Sequence, residues 1–568
     1  MQITDWIVLG VTLMFIVLYG VWKSRNTKNI SGYLLADRKL PWYHVGLSVM
    51  ATQASAITFL SAPGQAYTDG LRFVQFYFGL PLAMIVLCIT FVPIFHRLNV
   101  YTAYEYLEKR FDVKTRTLTA FLFLLQRGIS TGITIYAPSI VLSTILHIDI
   151  FYTTIMMSVL VIFYTVYGGT KAVSYTQMLQ MLIIFSGLII AGIVVVQLLP
   201  QGVGFNDALH VAGKMERANA IDTKFDLNSR YNIWSGIIGG FFLQLSYFGT
   251  DQSQVGRYLT GKSVAQSRLG LLMNGMLKIP MQFGILLIGT LVFSFYQFHQ
   301  PPLFFNETEV ISIKNSAYSS QFTELENEFY YVHQLKQDKV HQLVVAEQNN
   351  NKAEVDILRK DLQTSIHLED DIKKRATALM KNNNPDADTD DSNYVFLSFV
   401  IKYLPTGLVG LLIAIIFLAA MGATAGGLNS LASTTYVDFV KRFFIKEKTE
   451  KQELQYSRLI TVLWGVFCLF VALFAGQMGS LIEAVNVLGS LFYGTILGIF
   501  IAAFYFKKLK GTAVFIGAVI AEIFVVVCWQ LDLFAFLWLN LIGCVLVVLF
   551  AYLAQIFLQN KKTNAEQI

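Results

Sequence analysis

Apolar residues run along this chain in stretches of roughly 17–25, the length a helix needs to cross hydrocarbon, separated by short polar segments and one long polar block. The runs fall at about 4–22, 42–67, 73–95, 118–146, 151–168, 174–199, 233–256, 268–297, 397–421 continuing helically toward 440, 457–475, 480–506, 512–530 and 533–557. They predict an all-α polytopic membrane protein of about 13 spans. Two runs are interrupted. The middle of 42–67 is Ala51-Thr52-Gln53-Ala54-Ser55, small and polar where a membrane anchor carries Leu, Ile or Val. In 233–256, Gly239-Gly240 is followed by Gly249-Thr250-Asp251-Gln252. A loosened helix survives in hydrocarbon only against protein or a water-filled cavity. Interrupted spans in corresponding halves point to a transporter whose site lies near the bilayer midplane.

Residues 298–396 break the pattern, being rich in Gln, Asn, Lys, Glu and Asp. Leu325, Phe329, Val332, Leu335, Val340 and Leu343, then Val355, Leu358, Leu362, Ile366 and Ile372, recur at helical spacing on either side of Asn349-Asn350-Asn351. The spacing predicts an antiparallel helical hairpin projecting from the membrane, each helix reaching roughly 45 Å. Asp386 to Asp391 reads as a solvated linker, since no complete calcium-loop pattern surrounds it. The organisation expected is a membrane domain over 1–297, an extracytoplasmic insert over 298–396, a membrane domain over 397–558 and a cytoplasmic tail over 559–568.

Composition fits that picture. Of 568 residues 55% are hydrophobic and 14% charged, with mean hydropathy +0.53, against about 25% charged for a soluble domain. Cys88, Cys468, Cys528 and Cys544 all fall inside apolar runs, so neither a disulfide framework nor a metal cluster is suggested. The first run has no basic leader and no small-residue cleavage site, and reads as a retained span. Basic residues cluster in alternate connections, such as Lys23, Arg25, Lys28, Arg38 and Lys39, or Lys441, Arg442, Lys446, Lys448, Lys451 and Arg458. The opposite short loops carry Arg72, Lys214, Arg217, Lys224 and Arg230. That bias predicts an N-terminus outside and a cytoplasmic C-terminus in a cell (inner) membrane.

Ionisable groups inside spans are costly and are functional candidates by default. Arg127 forms a polar stripe with Ser130, Thr131 and Thr134 on one helix face. Lys278 shares a face with Asn274 and Gln282, Asp251 lies in the interrupted seventh span, and Glu522 in the twelfth. Each is read either as a site residue or as a buried pair or interfacial charge; Glu522 is read as structural or at an oligomer contact.

The segments SAITFLSAPGQAY (55–67), FVPIFHRLNVYTAYEYLEKRF (91–111), ITIYAPSIVLS (133–143), YGGTKAVSYTQMLQ (167–180), SYFGTDQSQVGRYL (246–259), GLNSLASTTYVDFVKRF (427–443) and NVLGSLFYGTILGIF (486–500) together resemble the sodium:solute symporters, and look closest to their iodide, monocarboxylate and multivitamin branch. The resemblance covers nearly the whole chain apart from the insert. It implies a five-plus-five inverted repeat of the leucine-transporter type, with one extra helix before it and two after. It implies a sodium site built from backbone carbonyls at Ala51, Ala54 and Ala419, with two hydroxyls that fall on Gly422 and Ala423, where neither exists. Thr424 substitutes if the register moves by one. An acidic residue usual near the ion path falls on Gln177, and Asp251 stands where the family usually has Asn. The implied substrate positions are Gln53, Thr58 and Tyr247 with Lys278, the last matching a lysine of the sugar-transporting members; Arg127, Thr131, Asp251 and Gln252 complete the candidate substrate set.

The function expected is secondary active symport of a small polar or anionic solute by alternating access, coupled to sodium. The alternatives are a proton-coupled or uncoupled transporter of the same fold, with Asp251 as proton carrier, and a transporter-like solute sensor. No cofactor beyond the coupling ion, no nucleic-acid partner and no enzymatic activity are expected, since no nucleophile–base pair, metal cluster or phosphate loop is found.

Overall fold

The computed structural model describes residues 1–24, 38–98, 100–444 and 449–565. Arg25, Lys28, Lys446 and Lys448 of the basic clusters lie outside them. The first half runs α1 (Ile3–Ser24), α2 (Trp42–Gln53), α3 (Ala56–Asp69), a 3-10 turn over Gly70–Tyr77, α4 (80–98), α5 (Glu105–Arg110), α6 (Val113–Leu146), α7 (Ile150–Gln197) and α8 (Phe205–Lys214). The second runs α9 (Gly240–Thr250), α10 (Gln252–Tyr258), α11 (Val264–Phe298), α12 (Glu307–Lys314), α13 (Ser319–Gln348), α14 (Lys352–Asn383) and α15 (Ser392–Tyr403). It closes with α16 (Leu408–Thr434, continued as a π helix to Phe444), α17 (Glu450–Leu473), α18 (Leu481–Tyr505), α19 (Gly511–Gln530) and α20 (Phe536–Ala565). No strand occurs among the described residues, and ten helices there are long and apolar enough to cross a membrane. The four cysteines are free and buried.

Both predicted breaks are present. Between α2 and α3, Ala54 (φ −84°, ψ 80°) and extended Ser55 leave the helical region. The Ser55 and Thr58 amides bond to Gln53 O and Ser55 O, so neither closes on the carbonyls of Ala51 and Ala54. Between α9 and α10, Asp251 is extended (φ −76°, ψ 118°) and caps α10 by accepting from Ser253 N at 2.8 Å. An Asp side chain that serves the next turn's amides is what makes a break there tolerable. The second half of the first broken span sits tightly on α11, because Gly289 lies against the Pro63 carbonyl where a Cβ would clash.

Three expectations change. The spans 151–168 and 174–199 belong to one helical run, α7. Yet Tyr164 Oη and Thr176 Oγ1 lie 3.2 Å apart, although twelve residues of straight helix would separate their Cα atoms by about 18 Å. The run is therefore not straight between them. The span expected at 397–421 is split. Pro405 forces Leu404 into extended backbone (φ −80°, ψ 149°), Gly407 turns at φ 87°, and α15 ends before α16 begins. α15 packs on α3.

The third change concerns the insert. α13 and α14 pair antiparallel, but they do not stand free. Glu347 at the turn pairs with Lys214 at 2.9 Å, Gln348 Nε2 donates to Gly202 O at 3.2 Å, and Arg359 reaches Glu216 at 3.4 Å. The hairpin thus lies down against the 202–216 connection. Its buried positions follow heptad spacing. Phe322, Leu325 and Phe329 meet Ile372, Ala376 and Met380 near the root. Val340, Leu343 and Val344 meet Val355, Leu358 and Leu362 toward the turn, and there they join the main core. Between these apolar layers lies a polar one. Glu369 pairs with Lys336 and accepts from or bonds to His333 Nδ1 at 2.7 Å, all three buried. Leu335, expected inside, is 48% exposed.

The linker after α14 is not simply solvated either: Asp388 is buried and accepts from Tyr394 Oη at 2.8 Å. Burial pushes its carboxyl up to about 7, against the opposing bond from Tyr394. A raised carboxyl contributes stability that is complete below its unfolded value near 3.9 and is lost as pH rises through about 7. Glu369 runs the other way. Burial would raise it, but Lys336 and then His333 outweigh that and hold it at about 2, so its contribution persists above about 4.3 and is lost in acid. Hydrogen exchange of the full chain, corrected for intrinsic rate, should therefore find 385–391 less protected at pH 8.5 than at pH 5, with no such loss in α13 and α14. Equal protection of 385–391 at both pH values contradicts this assignment.

Candidate functional site

The two breaks, α6 and α18 enclose a cavity of about 90 Å³. Gln53, Ser55 and Thr58 line it from the first break, Gln244 and Tyr247 from the second, Arg127 and Ser130 from α6, Asn486 and Tyr493 from α18, and Tyr77 from the 3-10 turn. Gln53 Nε2 and Gln244 Oε1 are 3.4 Å apart, so the broken helices touch across it.

One wall is electrostatic. Arg127 forms a buried ion pair with Asp251 and its Nη2 also donates to Tyr493 Oη at 3.3 Å. The guanidinium lies 5.5 Å from the Tyr247 ring centroid, a cation–π contact. Asp251 is filled from both sides. Its Oδ2 accepts from Arg127 and from Tyr493 Oη at 2.9 Å, and its Oδ1 from Ser253 N at 2.8 Å and Ser253 Oγ at 2.6 Å. Tyr247 Oη accepts from Gln254 Nε2 at 2.7 Å. Arg127 Nε is buried and has no hydrogen-bond partner among the described residues. The cavity thus meets a guanidinium whose charge is balanced from behind, which suits hydrogen bonding to a polar solute as well as to an anion.

Of the substrate residues expected from sequence, Gln53, Thr58, Arg127 and Tyr247 line the cavity, while Thr131, Asp251, Gln252 and Lys278 do not. Thr131 is buried against Gly427 of α16, whose missing side chain makes room for it. Gln252 ties the backbone of 101–103: its Nε2 donates to Tyr101 O at 2.8 Å and its Oε1 accepts from Ala103 N at 3.1 Å. Lys278 is fully buried without a hydrogen-bond partner among the described residues, 5.8 Å from the ring centroid of Tyr77, which does line the cavity. Asn274 and Gln282, its neighbours on the same face, also have buried amide atoms without protein partners. Glu522 lines no part of the cavity. Tyr77, Asn486 and Tyr493 were not expected. Tyr493 lies in a segment that carries the resemblance, but one Tyr in an apolar run has no pattern of its own.

The region expected to hold a cation is crossed by Gln177. Its Nε2 donates to Gly422 O and to Thr52 Oγ1, both at 3.2 Å, and its Oε1 accepts from Ser48 Oγ at 2.7 Å. The freed carbonyls of Ala51 and Ala54 lie at the first break, and Ala419 and Ala423 lie on α16. Thr424 is buried with its Oγ1 unpartnered.

Two discontinuous helices meeting at a polar cavity inside an all-helical membrane domain define a secondary transporter of the inverted-repeat class. The family model for the sodium:solute symporter family matches residues 33–328 and 377–521, and the chain belongs to that family. It is 25% identical over 520 residues to the sodium-dependent multivitamin transporter of Oryctolagus cuniculus, covering 91% of this chain and 68% of that one. It is 31% identical over 306 residues to the human sodium/iodide cotransporter, spanning 51% of this chain and 45% of that one. In structure it is similar to a substrate-bound, outward-open Na+-coupled sialic acid symporter, with TM-score 0.75, 21% identity and 98% of each chain covered. The fold is therefore the five-plus-five inverted repeat of the leucine-transporter type, and the protein is a transporter and not an enzyme.

Proposed function

We propose that this protein carries out sodium-coupled symport of a small polar or anionic solute, bound in the cavity between the two broken helices. The observation that carries the reading is the convergence of Gln53, Thr58, Tyr77, Arg127, Gln244, Tyr247 and Asn486 on one cavity at both breaks. Freed backbone groups and fixed polar side chains at the midplane are how such folds hold solutes and ions. Lys278 lies behind Tyr77 on the same side. Sodium takes oxygen ligands; here they are the carbonyls of Ala51, Ala54 and Ala419 with Thr424 Oγ1, while Ala423 offers only backbone. The relatives named as sodium-coupled support that ion. Asp251 is taken up as the ion-pair partner of Arg127 and does not line the cavity. The bias of basic residues toward alternate loops supports an N-terminus and insert outside and a cytoplasmic C-terminus.

Proteoliposomes loaded with candidate solutes test this. The expected result is counterflow of a labelled solute and accumulation driven by an imposed sodium gradient at constant pH. Accumulation driven only by a pH gradient, and abolished in Asp251→Asn, would replace sodium by protons. Binding without exchange across a broad panel would make the protein a sensor.

A further inference from the structure

A second buried cation lies away from the solute cavity. Arg257, on α10, is 3% exposed, yet no Asp or Glu pairs with it among the described residues. Among the described residues its guanidinium makes one hydrogen bond, Nη1 to Ser174 Oγ, long at 3.5 Å. Asp251, six residues before it, already holds Arg127, Tyr493 and Ser253. A guanidinium cannot shed its charge, and a buried charge without a partner is strongly unfavourable.

Beside Arg257 is a polar cavity of about 20 Å³ between α10 and α16. Asn429 lines it, 5% exposed, with both amide atoms buried and unpartnered among the described residues. Gly426 lines the same space, and a Cβ there would sit 2.9 Å from Arg257 Nη2, so the bare glycine is what lets the guanidinium reach α16. The volume exceeds the roughly 10–15 Å³ that one water-sized sphere needs, which is enough for one small ion between the two groups. The walls offer N–H donors and a fixed positive charge, the chemistry of an anion site.

We propose that one monatomic anion of chloride's size binds here, between the Arg257 guanidinium and the Asn429 amide. It balances Arg257 and ties the short second half of the broken span to α16. This is separate from the solute and sodium sites: its wall is α10 with α16, and it shares no residue with the lining of the solute cavity.

The test is the unfolding midpoint of the purified full chain in detergent, with sodium constant and gluconate replaced stepwise by chloride. Wild type should gain several degrees, saturably, and sulfate should give no gain. Asn429→Asp brings a carboxylate to Arg257 at nearly unchanged volume. Its midpoint in gluconate should match wild type in saturating chloride, and its chloride response should vanish. Gln177→Glu offers a second route to the same charge balance, since Gln177 connects to Arg257 through Ser48 and Ser174; its half-saturating chloride concentration should rise at least tenfold. Identical wild-type midpoints in both salts, a gain that never saturates, or a chloride response retained in both variants overturns the site and leaves water in the cavity.

Discussion

Arg127→Met should lose solute exchange and stability together, and adding Asp251→Asn should restore the stability but not the exchange. The argument rests on the pair's setting. The Asp251 side chain is fully buried. Removing its cation leaves a carboxylate in low dielectric with only neutral donors. Breaking one side of such a pair costs on the order of 3–5 kcal/mol. Asn at 251 removes the stranded charge and still accepts from Ser253, so the double variant recovers most of the loss. Exchange does not return, because Arg127 is itself part of the cavity wall. Thermal unfolding and counterflow on the same preparations read both effects. Equal destabilisation in the single and double variants would mean that the pair is not coupled, and full exchange in Arg127→Met would remove Arg127 from the solute site.

Glu369→Leu should open the hairpin locally while leaving the membrane helices folded. Lys336 is 4% exposed at its side chain and loses its only ion-pair partner among the described residues. The same 3–5 kcal/mol applies, now confined to α13 and α14, so their amide exchange should quicken by about a hundredfold or more. Replacing His333, Lys336 and Glu369 together by Leu should reverse the loss, since well-packed apolar residues are often as good as a buried charged cluster. What that triple variant gives up is register, because a lone polar layer in a heptad seam penalises every slipped pairing. Unchanged exchange in Glu369→Leu would show the layer to be energetically idle.

How far these features could be read from the chain depends on whether they are local. The breaks were legible, since small polar residues at 51–55 and 249–252 have no other use inside an apolar run. So were Gln53, Thr58, Arg127 and Tyr247 as cavity residues. The pairing of Arg127 with Asp251 was not. The two lie 124 positions apart, and their meeting depends on where the second break aims its first residue. Tyr77 and Asn486 were missed for the same reason: each is ordinary in its own segment and becomes part of a site only across the fold. The end of α15 had a signal, Pro405 with Gly407, which the continuous apolar run obscured. The hairpin's heptads could be counted, but its direction is set by Lys214, Glu216 and the Gly202 carbonyl, partners far away in sequence.

That direction turns the hairpin into a mechanical gauge. A 30-residue helix is about 45 Å long, running from Ser319 at the root of the insert to a far end fastened to the 202–216 connection. On such an arm, a tilt of about 10° at the root carries the far end about 8 Å, well beyond the reach of the Glu347–Lys214 pair. Conversely, holding the far end to about 1 Å limits rotation at the root to about 1°. So while Lys214, Glu216 and Gly202 keep their grip, the hairpin is held in angular register with the segment that joins the two repeats, and a swing by more than a few degrees has to be preceded by release of these surface contacts and of the apolar layer through which the turn half joins the main core.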